Sequence, residues 1–361
     1  MRYKLLGKTG LRVSELSLGT MTFGEEWGWG ASKEESKKIF DAYADAGGNF
    51  IDTANRYTEG TSEAFVGEFI APDRDHFVVA TKYSLFDKPG DVNYAGNHRK
   101  NMMRSVEASL KRLQTDHIDV LYLHAWDFLT PSEEILRGID DLVKSGKILY
   151  AGISDTPAWI VSEANAIADL RGWTRFNALQ VEYSLIERTT ERDLLPMAKA
   201  GDLAVTAWAP LAGGALTGKY LKANDNDKRM EADNPRLSQR NQNIAKAVVK
   251  LANETGYSPA QIAIRWTMQQ NQVVIPIVGA RKLKQMQDSI KAVNIELDKA
   301  QIQQLNEVSA VDHGFPHEFL KQDRIKGFVL SEKGVELLHL PGHIVKPKEL
   351  DLHYECTKKE V

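Results

Sequence analysis

Eight short apolar segments, each followed by an amphipathic helical stretch, predict an α/β protein whose parallel strands form a (β/α)8, or TIM, barrel. A doubly wound sheet also fits this alternation, but eight units in 361 residues favour the closed barrel. The expected strands, in chain order, are Leu16–Leu18, Phe50–Asp52, Phe77–Lys82, Val120–His124, Ile148–Ser154, Ala178–Glu182, Leu203–Trp208 and Val273–Val278.

The helices between these strands are indicated by hydrophobic spacing and by capping signals. Helical spacing relates Met103, Val106, Leu110 and Leu113, and again Leu283, Met286, Ile290 and Val293. Capping boxes are expected at Ser32–Glu35, at Thr130–Glu133 with Pro131 as first helical residue, and at Ser258–Gln261. These signals predict where three of the helices begin.

Three segments lie outside the repeating units. Tyr3–Leu6 and Leu11–Val13 predict an N-terminal β-hairpin that closes the bottom of the barrel. A long loop is expected after the seventh strand, at 209–239, and an irregular tail at 312–361. Since no linker precedes the tail, we expect one barrel domain at 1–311 and a tail packed on its rim.

The composition is that of a globular protein with a sizeable core, since 42% of the residues are hydrophobic and 26% are charged. Forty-six basic and 49 acidic residues leave a net charge of -3, which argues against a nucleic-acid partner. The single cysteine, Cys356, favours a reducing compartment, and no apolar run predicts a membrane span or signal peptide. We expect a cytoplasmic protein without a membrane partner, and a homo-oligomer is left open.

Four chemically active side chains are expected together at the carboxyl ends of neighbouring strands, where barrels build their sites: Asp52, Tyr57, Lys82 and His124. The ammonium of Lys82 is expected to lower the pKa of the Tyr57 phenol, and Asp52 to hold Lys82 in place. His124 could polarise a carbonyl oxygen. Each residue alone has an ordinary structural interpretation, but together they suit the protonation of an oxygen on which negative charge develops.

Several segments resemble the signatures of the aldo-keto reductase family, in the family's order, over about residues 2 to 310. They are Leu6–Ser14, Leu18–Met21, Asp52–Tyr57, Ala80–Tyr83 and Leu121–Asp127. The resemblance implies a barrel that binds NADP(H) without a Rossmann domain and reduces a small carbonyl substrate. It implies Tyr57 as the general acid, Lys82 and Asp52 as the groups that tune it, and His124 as the group that orients the carbonyl. Consistently, no Gly-x-Gly-x-x-Gly segment follows a strand.

The resemblance also implies the cofactor residues. Ser154 and Gln180 match positions that hold the nicotinamide carboxamide, and Trp208 matches the aromatic residue that stacks on the ring. Asp155 stands where most relatives carry Asn, and an ionised carboxylate can only accept from the carboxamide. The remaining expected contacts are Thr20, Met21 and Asp52, then Pro210, Leu211, Gly213 and Lys219 around the pyrophosphate, and Gly279, Arg281, Gln285 and Asp288 around the 2′-phosphate and adenine.

The expected substrate walls are aromatic, which favours an apolar or aromatic carbonyl compound. They comprise Trp27, Tyr57, His124 and Trp126.

Three other interpretations remain open at this point. The resemblance implies a bacterial-type branch of the family near the potassium-channel β-subunit members. Trp208–Leu211 also resembles those β-subunit members, in which NADPH binding accompanies a regulatory task. A barrel glycosidase would pair Asp52 with Glu182 but leave Tyr57 and Lys82 without a role. Metal binding by the tail is disfavoured and no metal site is expected, because prolines interrupt both pairs with i, i+4 spacing. The groups considered are His313, His317, His339, His343, His353 and Cys356.

Overall fold

The computed structural model of the protein describes residues 1–221, 230–231, 233–270 and 274–330. Eight parallel strands form a closed barrel, and the first two strands form a separate antiparallel hairpin. The strands are β1 Tyr3–Leu5, β2 Arg12–Ser14, β3 Ser17–Gly19, β4 Phe50–Asp52, β5 Val78–Tyr83, β6 Ile118–Leu123, β7 Ile148–Ser154, β8 Phe176–Glu182, β9 Ala204–Trp208 and β10 Val274–Val278. The prediction of a TIM barrel with an N-terminal hairpin is confirmed.

Helices cover the outside of the barrel and follow its strands in turn. They are α1 Lys33–Asp45, α2 Thr61–Ile70, α3 Arg99–Leu113, α4 Ser132–Lys144, α5 Ala158–Arg171, α6 Leu194–Ala200, α7 Gln239–Thr255, α8 Pro259–Met268, α9 Leu283–Ile290, α10 Lys299–Val308, α11 His317–Leu320 and α12 Asp323–Leu330. Within the described residues, none of these helices combines the length and the apolar character needed to cross a membrane.

The strand register brings the functional side chains to one rim. Asp52 at the end of β4 pairs with Gly19 of β3 and Ala80 of β5, and Lys82 pairs with Tyr122 of β6. Because all eight strands run in the same direction, their carboxyl ends open on the same side. The predicted strands agree within two residues at each end, although the predicted start at Val273 lies outside the described residues.

The barrel interior is a filled apolar core. The hairpin side chains Leu6 and Val13 are completely buried and pack with inward-facing residues of the strands. A Cβ atom at Gly152 would lie 2.3 Å from the ring of Tyr122, so glycine there makes room for the tyrosine. The Tyr122 hydroxyl bonds the Thr206 hydroxyl, 3.1 Å away across the interior. The site is therefore restricted to the rim.

The capping predictions had mixed outcomes. Ser258 and Gln261 form both reciprocal bonds of a capping box. Ser32 accepts from the Glu35 amide, but the Glu35 carboxylate accepts from the amide of Leu283, 2.6 Å away at the start of α9. A second helix therefore competes successfully for this carboxylate.

The capping box predicted at Thr130–Glu133 was wrong. Helix α4 begins at Ser132, one residue later than predicted, and Pro131 stands at its N-cap. The Thr130 hydroxyl donates instead to the carboxylate of Asp127, 2.8 Å away. The Thr130 hydroxyl therefore stabilises the loop before α4 and does not cap the helix.

The segments expected to be irregular contain short helices in their described parts. After β9 there are three 3₁₀ turns, at Ala212–Thr217, Lys219–Leu221 and Pro235–Leu237. Near the C-terminus, α11 begins at His317, so His313 and His317 do not share a helix face. The other tail residues considered above, His339, His343, His353 and Cys356, lie outside the described residues.

Candidate active site

Lys82 is the centre of the buried polar cluster at the barrel rim. Its ammonium group is completely buried and donates to three oxygens: Asp52 Oδ1 at 2.6 Å, the Thr53 carbonyl at 2.9 Å and the Tyr57 hydroxyl at 3.0 Å. An ammonium group has three donors, and here each has an acceptor. This complete set of partners offsets the cost of burying the charge and fixes the position of the Tyr57 oxygen.

Asp52 is held from two sides. Its second carboxylate oxygen, Oδ2, accepts from Gln180 Nε2 at 2.8 Å, so β8 contributes to the same cluster. Thr20 donates from its hydroxyl to the Asp52 carbonyl at 2.9 Å and bonds the Ser62 hydroxyl at 2.8 Å. Thr20 is completely buried, so the structure does not bring this predicted cofactor residue to the cavity.

Tyr57 is presented by a turn with an unusual backbone. The three residues that follow it, Thr58, Glu59 and Gly60, all have positive φ angles, of 46°, 57° and 95°. The turn is anchored by Thr58, whose hydroxyl donates to the Phe23 carbonyl at 2.6 Å and accepts from the amide of Ser62 at 3.1 Å. This conformation turns the chain from the end of β4 directly into α2.

Burial and neighbouring charges set the protonation states. For Lys82, burial lowers the pKa, but Asp52 and Tyr57 together outweigh it, so the pKa is raised. For Tyr57, burial raises the pKa; Lys82 lowers it, as expected, but by less, so the net direction is upward. Burial, assisted by Lys82, holds the His124 pKa well below its usual value. At neutral pH the site therefore combines a charged lysine, a neutral phenol and a neutral imidazole.

These groups lie at the base of a cavity of about 760 Å³ on the carboxyl side of the barrel. His124 borders it, with its ring centroid 6.0 Å from that of Tyr57 in an edge-on arrangement. Trp27 covers Tyr57 at 6.5 Å, also edge-on. The predicted residues that line the cavity are Met21, Trp27, Asp52, Tyr57, His124, Ser154, Asp155, Gln180, Trp208, Pro210, Leu211, Gly213, Lys219, Gly279, Arg281, Gln285 and Asp288.

Trp126 is not among the residues that line the cavity within the described part of the chain. Its side chain is partly buried and packs against the main hydrophobic core. The motif position alone does not indicate on which side of the loop this indole lies.

Another part of the cavity wall is formed by residues at the ends of β7 and β9. The buried Ser154 hydroxyl has no hydrogen-bond partner among the described residues, although Ser154 lines the cavity. Trp208 Nε1 donates to Asp155 Oδ1 at 3.1 Å. Burial raises the pKa of Asp155, whereas Trp208 and then Lys82 lower it, and the net direction is upward. An unpaired hydroxyl beside an indole ring is suited to hold a flat, polar ligand group.

Comparison with known proteins agrees with this geometry. The sequence profile described as "Aldo/keto reductase family" matches residues 15–310. The chain belongs to the aldo-keto reductase family. Carbonyl reduction is therefore supported at the level of the family, and the chain is an oxidoreductase.

Three fungal relatives illustrate the similarity. The chain is 39% identical to the "Aryl-alcohol dehydrogenase [NADP(+)]" of Phanerodontia chrysosporium, over 85% of this chain and 86% of the relative. It is 36% identical to the "Norsolorinic acid reductase" of Aspergillus flavus, over 88% and 83%. It is 37% identical to the "Aldo-keto reductase ausK" of Emericella nidulans, over 89% and 85%.

The loops that follow β9 and β10 line the cavity of this aldo-keto reductase with groups suited to an elongated anionic ligand. Gly213 and Gly214 have positive φ angles of 66° and 93°, and the side chain of Lys219 lies against Gly214. Glycines with this backbone leave amide groups accessible to an anion. Arg281 borders the cavity just before α9. Together with the unpaired Ser154 hydroxyl, these residues fit a dinucleotide.

Two residues expected around the adenine already have protein partners. Gln285 Oε1 accepts from the Arg281 amide at 2.9 Å. Asp288 accepts from the Ser258 hydroxyl at 2.6 Å and from Gln261 Nε2 at 2.7 Å. These contacts tie the start of α8 to α9 along one edge of the cavity.

Part of the cavity wall of this aldo-keto reductase is formed by residues that no sequence pattern indicated. Arg236 reaches the cavity from the far end of the loop after β9, donating to Glu182 Oε1 at 2.5 Å and lying 5.8 Å from the Trp208 ring. Nothing in its local sequence signals this approach. The other missed residues are Gly19, Thr22, Arg56, Leu85, Ala209, Thr217, Ser258, Pro259, Ala260, Ile277 and Val278.

Proposed function

We propose that this protein reduces aldehydes and ketones to alcohols with NADPH and that Tyr57 is its general acid. The observation that carries the proposal is the contact of the buried Lys82 ammonium with both Asp52 and the Tyr57 hydroxyl at the base of the cavity. A phenol beside a permanent positive charge can release its proton to an acceptor that becomes basic during the reaction.

The cofactor residues are proposed on the same basis. Ser154 and Gln180 would bind the nicotinamide carboxamide, Trp208 would pack against the ring, and Lys219 and Arg281 would neutralise phosphate groups. A cation at the start of α9 supports NADP over NAD, because the 2′-phosphate adds negative charge there. When bound, the reduced cofactor supplies the hydride.

The protein side chains would control the carbonyl oxygen. The neutral His124 imidazole can donate a hydrogen bond to that oxygen and hold it next to the Tyr57 hydroxyl. As negative charge develops on the oxygen, Tyr57 transfers its proton to it. The adjacent Lys82 ammonium stabilises the phenolate that remains, and Asp52 keeps Lys82 in position. Solvent then returns a proton to Tyr57.

We further propose that aromatic aldehydes are among the substrates. Trp27, Tyr57 and Leu85 provide an apolar surface beside the reactive groups. One relative bears the name aryl-alcohol dehydrogenase, which supports this substrate class.

The first test is the loss of NADPH absorbance with a panel of aromatic and aliphatic aldehydes. We expect turnover by the wild type and a loss of about 100-fold or more in kcat for Tyr57→Phe, with NADPH binding retained, because only the acid is removed. Tyr94→Phe is the matched control. Tyr94 does not line the cavity, and phenylalanine preserves its contact with Arg104.

The possible outcomes separate the alternatives. Equal rates for wild type and Tyr57→Phe would exclude Tyr57 as the acid. Tight NADPH binding without turnover on any carbonyl compound would favour the regulatory interpretation. Failure of the wild type to bind NADPH would contradict the proposed cofactor.

A further inference from the structure

Asp155 places a carboxyl group on the cavity wall beside the reactive cluster. It directly follows Ser154 at the end of β7, is exposed to the cavity and has a φ angle of 42°. One carboxylate oxygen accepts from Trp208 Nε1 at 3.1 Å. No lysine or arginine within the described parts of the chain forms an ion pair with it, so its negative charge is available to a cavity ligand.

This inference rests on the proposed function, because the reaction determines where positive charge appears. Hydride transfer requires the donor carbon of the nicotinamide to approach the carbonyl carbon to about 3–3.5 Å. The carbonyl oxygen must at the same time reach Tyr57. Ser154, Asp155 and Trp208 are the residues that would hold the ring, because they line the same cavity as Tyr57 and because Asp155 interacts electrostatically with Tyr57.

The charged groups around Asp155 leave its carboxylate without a cationic partner among the described residues. Asp155 interacts electrostatically with Tyr57 and with Lys82, which indicates that its charge is felt at the reactive cluster. The positive charge of Lys82 is already paired with Asp52 at 2.6 Å. Glu182, the other carboxylate near Asp155, is paired with Arg236. Asp155 is thus the carboxylate of this wall that is not committed to a cation among the described residues.

In the reduction, a hydride with its two electrons passes from NADPH to the carbonyl carbon. The carbon–oxygen π pair moves to the oxygen, which takes the proton of Tyr57, and the neutral dihydronicotinamide becomes the cationic ring of NADP+. We propose that the carboxylate of Asp155 stabilises this positive charge. The carboxylate thereby accelerates the departure of the hydride. It also increases the affinity for NADP+ relative to the affinity for NADPH, compared with a protein that has a neutral residue at this position.

The test is the substitution Asp155→Asn, which removes the charge and preserves the rest. Asparagine tolerates a positive φ angle, and its amide oxygen can still accept from Trp208. The affinities of wild type and variant for NADP+ and NADPH are measured by calorimetry, without a carbonyl substrate. We expect the Kd for NADP+ to rise about tenfold relative to the Kd for NADPH. A tenfold change is the order of magnitude expected when one interaction between two charges, several ångströms apart in partly solvated protein, is lost.

Two further variants distinguish charge from shape. Asp155→Gly also accepts the positive φ angle and should shift the ratio of the two affinities in the same direction, even if Asp155→Asn folds poorly. Asp288→Asn is the matched control, since it removes a carboxylate that lines the cavity beside α8 and should change both affinities by the same factor. A slower single-turnover oxidation of NADPH in Asp155→Asn would support the kinetic part.

An unchanged ratio in the Asp155 variants would overturn the inference and leave the proposed function intact. Equal weakening of both cofactors would also overturn it, because that result indicates a structural role. Failure of the wild type to bind either dinucleotide would instead overturn the proposed function and, with it, the inference.

Discussion

At the scale of single residues, burial and neighbouring charges together set the protonation states of Lys82, Tyr57 and His124. Lys82 stays charged because Asp52, Thr53 and Tyr57 satisfy all three of its donors. Tyr57 keeps its proton because burial outweighs the neighbouring ammonium. His124 lies close to the same positive charge and stays neutral. The three side chains are thus prepared for proton transfer to an oxygen before any substrate binds.

The depressed pKa of His124 predicts a loss of stability in acid. The unfolded chain binds a proton at His124 below about pH 6.5, whereas the folded chain does so only at much lower pH, so the free energy of unfolding falls as the pH drops below 6.5. Between pH 7.5 and pH 5.5, protonation of His124 in the unfolded chain should lower the free energy of unfolding by up to about 1.4 kcal/mol.

The measurement is urea denaturation at both pH values for wild type and His124→Asn. The variant should lose less stability on acidification than the wild type, and the difference isolates His124 from the other eight histidines. An identical pH dependence of the two proteins would contradict the assignment of a neutral, buried imidazole.

At the scale of elements, the turn between β4 and α2 determines where Tyr57 lies. The turn is packed against a partly buried ion pair, because the Arg112 side chain covers Gly60 and donates from Nε to Glu63 Oε2 at 2.6 Å. Glu63 is completely buried and also accepts from the Thr81 hydroxyl at 2.5 Å. Helix α3 and strand β5 thus support the turn from behind.

Gly60→Ala should therefore impair both stability and activity. The added Cβ would lie 2.8 Å from Arg112 Cδ, and the φ angle of 95° is unfavourable for alanine. We expect a loss of about 1–3 kcal/mol in the free energy of unfolding and a lower kcat, because Tyr57 is displaced.

The matched control is Gly172→Ala at the C-cap of α5. Its φ angle is 63°, but a Cβ there meets no atom within 4 Å. This variant should lose less stability and retain its kcat. If the two variants were equally destabilised and equally active, the contact with Arg112 would be unimportant.

At the scale of the whole molecule, the closed barrel gathers the site from distant parts of the chain. The described cavity wall runs from Gly19 to Ser289, so no described residue of the C-terminal segment contributes to it. Two hydrogen bonds attach the start of that segment to the barrel. Arg240 donates to the Ser309 carbonyl and Arg192 donates to the Asp312 carbonyl. The domain boundary near 311, the cytoplasmic location and the oligomeric state remain predictions.

Deleting residues 315–361 should leave NADPH binding largely intact, because the proposed cofactor residues all precede the deletion. We expect a change in substrate range or in thermal stability instead. The measurements are the Kd for NADPH, the melting temperature, and the kcat/KM values on the aldehyde panel. Loss of NADPH binding in a truncated protein that still folds would contradict this expectation.

The sequence alone determined the architecture and the reactive cluster. Parallel strands in a barrel all end at one rim, so strand-end residues such as Asp52, Lys82 and His124 can be assigned to one site once the strands are found. The TIM barrel, the hairpin and the family are confirmed, because strands buried on both faces and well-spaced motifs are strong local signals.

Which side chains reach the cavity, and how they are charged, depends on the three-dimensional packing of the chain. Trp126 is partly buried and packs against the core, Thr20 is buried behind Asp52, and Arg236 reaches the cavity from a distant loop. The upward shift of the Tyr57 pKa likewise depends on how much protein surrounds the hydroxyl. The orientation of a side chain, its distance from the cavity and its degree of burial all depend on neighbours that are distant in the chain. No local pattern of residues encodes these properties.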